Sequence, residues 1–255
     1  MKSINVLVIG KNSLLAKCFK KYTKILNVKY INYNDYSKIN INKFTHIINF
    51  SIDKKNFTHD YSLTNKIDRK ICKKIKNKNS IYIFPSSRLV YDKSKKNIYG
   101  RNKKKTENDI KSLKKKYLIL RITTLLTYDT SNRNLFISRV LRSLRKNNTI
   151  QLDISKKAYK DFITSEDLIY IIDNLINHKI TGIYNISSNI KIKVIDILKN
   201  IINGYGSGKV IYLKKIKKKN SFLVNNNKLK NIIKFKTTKK KLLNYCVKLG
   251  IKLNA

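Results

Sequence analysis

Apolar and polar positions follow two alternating periods through the first half of the chain. Lys2–Ile9 (KSINVLVI) is a short β-branched run ending at Gly10, the pattern of a strand covered on both faces. Leu14, Leu15, Cys18, Phe19, Tyr22 and Ile25 then recur at spacings of three and four, which predicts a helix over Ser13–Ile25. Val28–Tyr33 and His46–Phe50 read as strands. Leu63, Ile67, Ile71 and Ile75 mark a helix within Ser62–Lys76. Ser80–Phe84 reads as a strand closed by Pro85, Asn97–Lys116 as a mostly polar helix with a weak apolar stripe, and Tyr117–Ile122 as a strand. This alternation predicts a parallel sheet with helices on both faces and a ligand crevice beyond the carboxyl ends of the strands.

From about residue 125 the rhythm changes. Asn134–Lys146, Ser165–Asn177 and Val194–Ile202 carry helical periodicity, and Gly182–Ile186 is a strand candidate. Gly204–Gly208 is the one glycine cluster and reads as a loop, as does the cationic run Lys214–Lys219. Lys228–Ile233 and Thr238–Leu249 are expected to be terminal helices. There are no internal repeats and no Pro/Gly/Ser linker. Residues 1–130 are therefore expected to form one domain and 131–255 a smaller packed lobe that partly returns to the sheet.

Composition adjusts this picture in three ways. Apolar residues are 42% of the 255, enough to bury a core. No apolar run nears the roughly 18–20 residues that span a bilayer, and the first, Ile4–Ile9, is too short for a signal-peptide core, so a cytoplasmic protein without membrane association is expected. The scattered Cys18, Cys72 and Cys246 and three histidines make neither a disulfide framework nor a metal-ligand spacing, so no metal is expected. The formal net charge of +44 is carried by 50 Lys and only 8 Arg. Lys, Asn and Ile together make nearly half the chain, and all three have A/T-rich codons. Charge spread from Lys2 to Lys252 reads as composition bias, not as a nucleic-acid patch, although it favours anionic ligands.

Three segments can carry chemistry. Gly10–Ala16 (GKNSLLA) joins a strand to a helix, where backbone N–H groups and a helix N-terminus can face a pyrophosphate. Tyr99 and Lys103 are one helical turn apart, and an ammonium beside a phenol stabilises the phenolate for proton transfer coupled to hydride transfer. The spacing alone says little, because about three Tyr/Lys pairs at this spacing are expected by chance and three occur (Tyr91/Lys95, Tyr99/Lys103 and Tyr205/Lys209). Context selects Tyr99, which opens a helix shortly after the Ser80–Phe84 strand. Ser86 and Ser87 follow that strand, where a hydroxyl can orient a reacting oxygen.

Taken in order, these segments resemble the extended short-chain dehydrogenase/reductases, the NAD-dependent epimerase/dehydratase family. Gly10–Ala16 looks like its coenzyme turn, Ile47–Ser51 like the strand end beside the coenzyme, and Asn65 like the asparagine of the following helix. Ser86–Tyr91 resembles the serine segment, Tyr99-Gly100-Arg101-Asn102-Lys103 the catalytic pair, and Leu120–Thr123 the next strand. Lys160-Asp161-Phe162-Ile163 with Asp167 is similar to a segment of the substrate lobe, and Gly182–Ile186 to a late strand. The sequence departs from the pattern at Ser13, where a glycine is usual, at the short Tyr33–His46 segment, which shrinks one strand–helix unit, and at Asp92 after Tyr91. No acid ends the second strand; Asp35 is the first carboxylate.

The resemblance implies an α/β Rossmann-type doubly wound parallel sheet with a smaller C-terminal substrate lobe. It implies NAD or NADP as cofactor and a nucleotide-sugar substrate, reduced at a keto group or epimerised at C4 for surface-polysaccharide precursors. Tyr99, Lys103 and Ser87 are the implied catalytic residues. Gly10, Ser13, Leu14, Leu15, Asp35, Asn49, Phe50, Ser51 and Asn65, with Tyr99 and Lys103, are implied at the coenzyme. Ser86, Ser87, Arg88, Thr123, Asn134 and Lys160 are implied at the substrate. A homodimer is compatible with this reading, and no specific nucleic acid is expected. The competing classes are a non-catalytic NAD(P)-binding sensor or scaffold and a basic nucleic-acid-binding Rossmann protein.

Overall fold

The computed structural model describes residues 3–63, 66–213 and 221–255, and the side chain of Leu63 is not described. Asn65 and the Lys214–Lys219 run lie outside the described residues. In chain order the elements are β1 (Val6–Ile9), α1 (Leu14–Tyr22), β2 (Val28–Ile31), β3 (His46–Asn49), α2 (Ile67–Lys74), β4 (Ile81–Ser87), α3 (Ile98–Ser112) and β5 (Tyr117–Ile122). There follow β6 (Thr124–Leu126), α4 (Phe136–Asn147), β7 (Thr149–Leu152), β8 (Tyr159–Lys160), β9 (Phe162–Thr164), α5 (Ser165–Asn177), β10 (Gly182–Ile186), β11 (Ile192–Lys193), α6 (Val194–Tyr205), β12 (Lys209–Tyr212), α7 (Asn227–Lys230) and α8 (Lys239–Asn254).

The chain divides into two compact units. The first comprises Met1–Ile122, Ile169–Ile186 and Asn231–Ile233; the second comprises Thr123–Leu168, Ser187–Lys230 and Lys234–Ala255. The first unit is a six-stranded parallel sheet in the order β10-β5-β4-β3-β1-β2, so strand order reverses at β1. This is the expected Rossmann-type α/β sheet. Leu7, Ile9, Ile47, Tyr82 and Phe84 share one apolar cluster with Ile71 and Cys72 of α2 and Ile110 of α3. Strand alternation turns Val6, Val8, Ile48 and Ile83 to the other face, and all four are fully buried. There α1 buries Ala16, Cys18 and Phe19, and Thr23 and the Lys24 N–H tie its end to Asp173 of α5. Parallel sheets need such cover on both faces, which is why the strands read as continuous apolar runs.

Three local differences from the sequence reading have physical causes. The β2–β3 connection holds only two 3₁₀ turns, Tyr33–Lys38 and Ile41–Lys43, in place of a strand–helix unit, consistent with the shrinkage read from the sequence. Pro85 does not close β4, which runs on to Ser87. β3 pairs with β4 only as far as Ile83, so beyond it β4 bonds β5 alone, and a residue without an N–H is tolerated on the open side. The glycine cluster is not wholly a loop. Gly204 and Tyr205 end α6, and Gly206 caps the helix at φ +89°. A Cβ on Gly204 would collide with the Val247 carbonyl of α8, so this glycine sets how closely α6 and α8 approach.

The second unit packs α4, α6 and α8 around Leu141, Leu144, Ile150, Ile197, Leu198, Leu242 and Cys246. Its strands form three two-stranded pairs: β6 with β9, β7 with β12, and β8 with β11. At its centre Asp161 is fully buried and accepts the N–H groups of Ser188, Asn189 and Val224 and the Ser188 hydroxyl. Burial raises its carboxyl pKa. Among the described residues no helix is long and apolar enough to cross a membrane.

His46, at the start of β3, is buried with Nδ1 3.0 Å from the Thr45 hydroxyl. Burial, with the Lys179 ammonium adding to it, pushes its pKa down to about 4. An unfolded histidine titrates near ~6.5, so the stabilisation is complete above that pH and is lost as pH falls toward 4. We expect urea-unfolding free energy to fall by about 3 kcal/mol more between pH 7 and pH 4 in the wild type than in His46→Phe. Equal pH slopes in the two proteins would exclude His46 as the cause.

Candidate active site

The carboxyl ends of β1, β3 and β4 meet where strand order reverses, which is where open α/β sheets bind ligands. The chain leaves β1 through Gly10 at φ +88°, and a Cβ there would stand 2.6 Å from the Ser51 amide nitrogen. Only glycine permits this left-handed backbone pressed against the loop after β3. The Gly10 and Lys11 N–H groups both donate to the Ile31 carbonyl. Ser13 takes the N-cap of α1, its hydroxyl accepting the Ala16 N–H at 3.2 Å. Helix geometry leaves the Leu14 and Leu15 N–H groups without intrahelical acceptors. A serine in place of the usual glycine thus acts as a cap at an anion-ready helix terminus.

The β3 end is fixed by a second carboxylate. Asn49 donates to Asp68 at 2.8 Å, and its carbonyl oxygen accepts the N–H and hydroxyl of Ser51. Tyr82 donates to the same Asp68 oxygen at 2.7 Å. Burial raises the Asp68 carboxyl pKa and carries the Tyr82 phenol well above its ordinary range. The Asn49 side chain is therefore committed internally: it shapes the loop that carries Phe50 and Ser51, and does not itself project outward. Asp35 sits half-buried in the 3₁₀ turn after β2.

As the last residue of β4, Ser87 caps the 3₁₀ turn Arg88–Tyr91, its hydroxyl accepting the Leu89 N–H at 3.2 Å. That bond uses a lone pair and leaves the hydroxyl proton free to donate. Ser86 behaves differently from its expected substrate contact. It is buried and donates to Glu107 at 2.6 Å. Arg121 grips the same carboxylate through Nε at 3.0 Å and Nη2 at 2.6 Å. Its Nη1 reaches the Tyr91 hydroxyl, which donates to Asn185 of β10. The paired carboxylate raises the Arg121 pKa further.

Asn97 caps α3, accepting the Gly100 N–H at 2.9 Å, and Tyr99 and Lys103 follow on the first turns. Lys103 Nζ donates to the Pro85 carbonyl at 2.9 Å, 4.5 Å from the Phe84 ring and 5.7 Å from the Tyr99 ring centroid. The half-buried Tyr99 ring stacks on Phe57, centroids 4.8 Å apart and planes 3° from parallel. Asn102 holds that loop in place. It accepts the Tyr61 N–H and donates to the Asn56 and His59 carbonyls. The weak apolar stripe of this helix is thereby explained, because Asn102, Thr106 and Glu107 occupy its buried face.

The structure thus brings together, within the first unit, Gly10, Ser13, Leu14, Leu15, Phe50 and Ser51 at one strand reversal and Ser87, Tyr99 and Lys103 about the end of β4. Arg88 opens the adjoining turn. The remaining expected substrate residues lie in the second unit and are placed differently. Thr123 is buried, donating its hydroxyl to the Asp161 carbonyl. Lys160 is buried with Nζ 4.9 Å from the Phe136 ring centroid. Asn134 is exposed, two residues before α4. Thr123, like Ser86 and Asn49, has its polar group spent on the fold.

No known family's sequence profile matches the chain, and no curated protein matches it. Solved structures do. A UDP-N-acetylglucosamine 4-epimerase from Methanobrevibacter ruminantium M1, in complex with UDP-N-acetylmuramic acid, is 16% identical over 99% of each chain, with a TM-score of 0.75. The dTDP-4-dehydrorhamnose reductase from Bacillus anthracis str. Ames, in complex with NADP, is 15% identical over 98% of this chain and 99% of that one, with a TM-score of 0.77. MoeE5 in complex with UDP-glucose and NAD is 14% identical over 97% and 99%, with a TM-score of 0.77. The chain shares its fold with these proteins.

The sequence reading missed Glu107, Asp68, Asn102 and Phe57 and gave Arg121 no role. A signal was present for two of them: Arg121 interrupts an apolar strand (YLILRI), and Glu107 is one of only 14 acids, inside a lysine-rich helix. Removing one partner of a buried pair strands the other. We expect Glu107→Ala to lower unfolding stability by about 3–5 kcal/mol in a urea titration. A loss below about 1 kcal/mol, the scale of a surface pair, would show that this network does not anchor the site.

Proposed function

We propose that this chain is an NAD(P)-dependent oxidoreductase or epimerase that acts on a nucleotide sugar. The observation that carries the reading is the phenol of Tyr99 with the Lys103 ammonium beside it, next to the β4 end where Ser87 presents a hydroxyl proton. The likeness to structures bearing NAD, NADP and UDP-sugars supports the cofactor and substrate class. The residues fit a dinucleotide: a left-handed Gly10 seated against Ser51, and the unpaired first-turn N–H groups of α1, match a pyrophosphate.

When bound, the nicotinamide supplies or takes up a hydride. The chain's own residues handle the rest. In reduction, Tyr99 passes its phenolic proton to the carbonyl oxygen as that carbon gains hydride; in oxidation, the phenolate takes the alcohol proton. Lys103, held by the Pro85 carbonyl, places a positive charge beside the ring and is within the same helix face to hold the ribose. Ser87 donates to the reacting oxygen and fixes its direction. The Leu14 and Leu15 amides, with Gly10, Ser13, Phe50 and Ser51, would hold the coenzyme phosphates, and Asp35, in the turn after β2, would serve the nucleoside. Arg88 contributes charge toward the substrate diphosphate.

A panel of 4-keto and 4-hydroxy sugar nucleotides incubated with NADH, NADPH or the oxidised coenzymes tests this reading. Loss of one hydroxyl in Tyr99→Phe should lower kcat by roughly 10²–10⁴-fold, with coenzyme affinity unchanged. Turnover of Tyr99→Phe at the wild-type rate would remove Tyr99 from the chemistry. Gly10→Ala forces a Cβ toward Ser51 at a left-handed position, so calorimetry should show at least tenfold weaker coenzyme binding. Unaltered affinity in that variant would place the coenzyme elsewhere.

A further inference from the structure

The chain has 50 lysines spread along its length, but its eight arginines are not spread. Four of them, Arg133, Arg139, Arg142 and Arg145, fall within 13 consecutive residues, the first just before α4 and the other three along it. A bias that enriches lysine everywhere does not produce this. Arg139, Arg142 and Arg145, with Lys146, Ser143 and Thr130, line a groove of ≈ 660 Å³ in the second unit.

Three features make this groove more than a solvated basic face. Arg142 is held in place: its Nη1 donates to the Ser131 carbonyl and, at 3.0 Å, to the Arg133 carbonyl. A guanidinium has five N–H donors, so its other edge remains for a ligand. The acid of this segment is already taken, since Asp129 accepts from Arg133, Ser138 and the Ser131 N–H. Arg139 and Arg145 form no ion pair with a described carboxylate. No aromatic or aliphatic side chain lines the groove, so it offers nothing on which a base or sugar could stack. The three arginines step along α4 by three residues, about 4.5 Å of rise each and about 9 Å in all.

We propose that the α4 groove is a binding site for a ligand bearing consecutive phosphate groups. Guanidinium forks recognise phosphate bidentately, and a row of three with no hydrophobic floor reads phosphates and not what they are attached to. The same chemistry is offered by free inorganic polyphosphate and by a single-stranded nucleic-acid backbone. The site shares no residue with the coenzyme turn or the Tyr99 segment, and it stands whether or not the dehydrogenase reading does.

The test uses the full chain and three probes: pyrophosphate, tripolyphosphate and a fluorescein-labelled mixed-sequence RNA 12-mer. Arg139→Gln/Arg145→Gln removes two exposed cations that make no hydrogen bond to a described residue, so folding is retained. Lys20→Gln/Lys78→Gln removes the same charge from exposed positions of the first unit. We expect the groove variant to bind at least one class of probe tenfold or more weakly, and the lysine variant to change by less than twofold. For RNA, the slope of log affinity against log salt should flatten by about 1.4 when two phosphate contacts are lost. Arg142→Lys, which keeps charge but loses the fork, should weaken binding in the same direction. Groove-dependent binding of tripolyphosphate alone identifies a free polyphosphate ligand, and of RNA alone a nucleic-acid backbone. Equal losses in the two double variants, or no groove-dependent binding of any probe, would overturn the proposal, because the overall field of the protein would then explain all the binding.

Discussion

One buried carboxylate organises the site. Glu107 is wholly removed from solvent, and it is kept there by charge-assisted bonds from Arg121 and by the Ser86 hydroxyl. An ionised carboxylate without them would cost several kcal/mol to bury. Its partners come from β4 and β5, so the rotation of α3 about its own axis is fixed against the sheet. Lys103 and Tyr99 lie one and two turns earlier on that helix. The direction of Lys103 toward the Pro85 carbonyl is thus a consequence of where Glu107 must sit, and Tyr99, a turn earlier, lies against Phe57. Arg121 extends the constraint through Tyr91 to Asn185 on the outer strand β10, so four elements share one polar cluster.

The same device recurs with other acids. Asp68 ties α2 to the end of β3 through Asn49 and to the start of β4 through Tyr82, and Asn49 in turn shapes the Ser51 loop against Gly10. Asp161 gathers three backbone N–H groups in the second unit. In a chain with 14 acids against 58 basic residues, these carboxylates are placed inside, where each gathers donors from other elements of its unit. Many of the cations stay at the surface. The charge imbalance therefore coexists with internally paired carboxylates, and the arginine row on α4 is a concentrated cationic feature with a defined shape.

Several residues that a motif reading sends to the ligand are instead spent on holding the ligand's surroundings. Ser86 donates to Glu107, Asn49 to Asp68 and Thr123 to the Asp161 carbonyl, so strand alternation and loop geometry turn their polar groups inward. Ser87, one residue beyond Ser86, keeps its proton available. A shift of one position along a strand thus separates a scaffold hydroxyl from one able to meet substrate.

The sequence by itself determined the alternating α/β architecture, the glycine turn after β1 and the tyrosine–lysine pair on α3. These depend on local rules: apolar period, glycine's access to positive φ, and helical spacing. It also foretold that the β2–β3 connection would be too short for a full strand–helix unit. Only the tertiary structure decided that β4 continues through Pro85, because β3 stops pairing at Ile83 and leaves an open side there. Only it joined Glu107 to Arg121 and Ser86, Asp68 to Asn49 and Tyr82, and Phe57 to Tyr99. Those partners are separated by 14 to 42 residues, and no periodicity reports which buried charge will find which donor; that is settled when the strands take their order and the helices close over them.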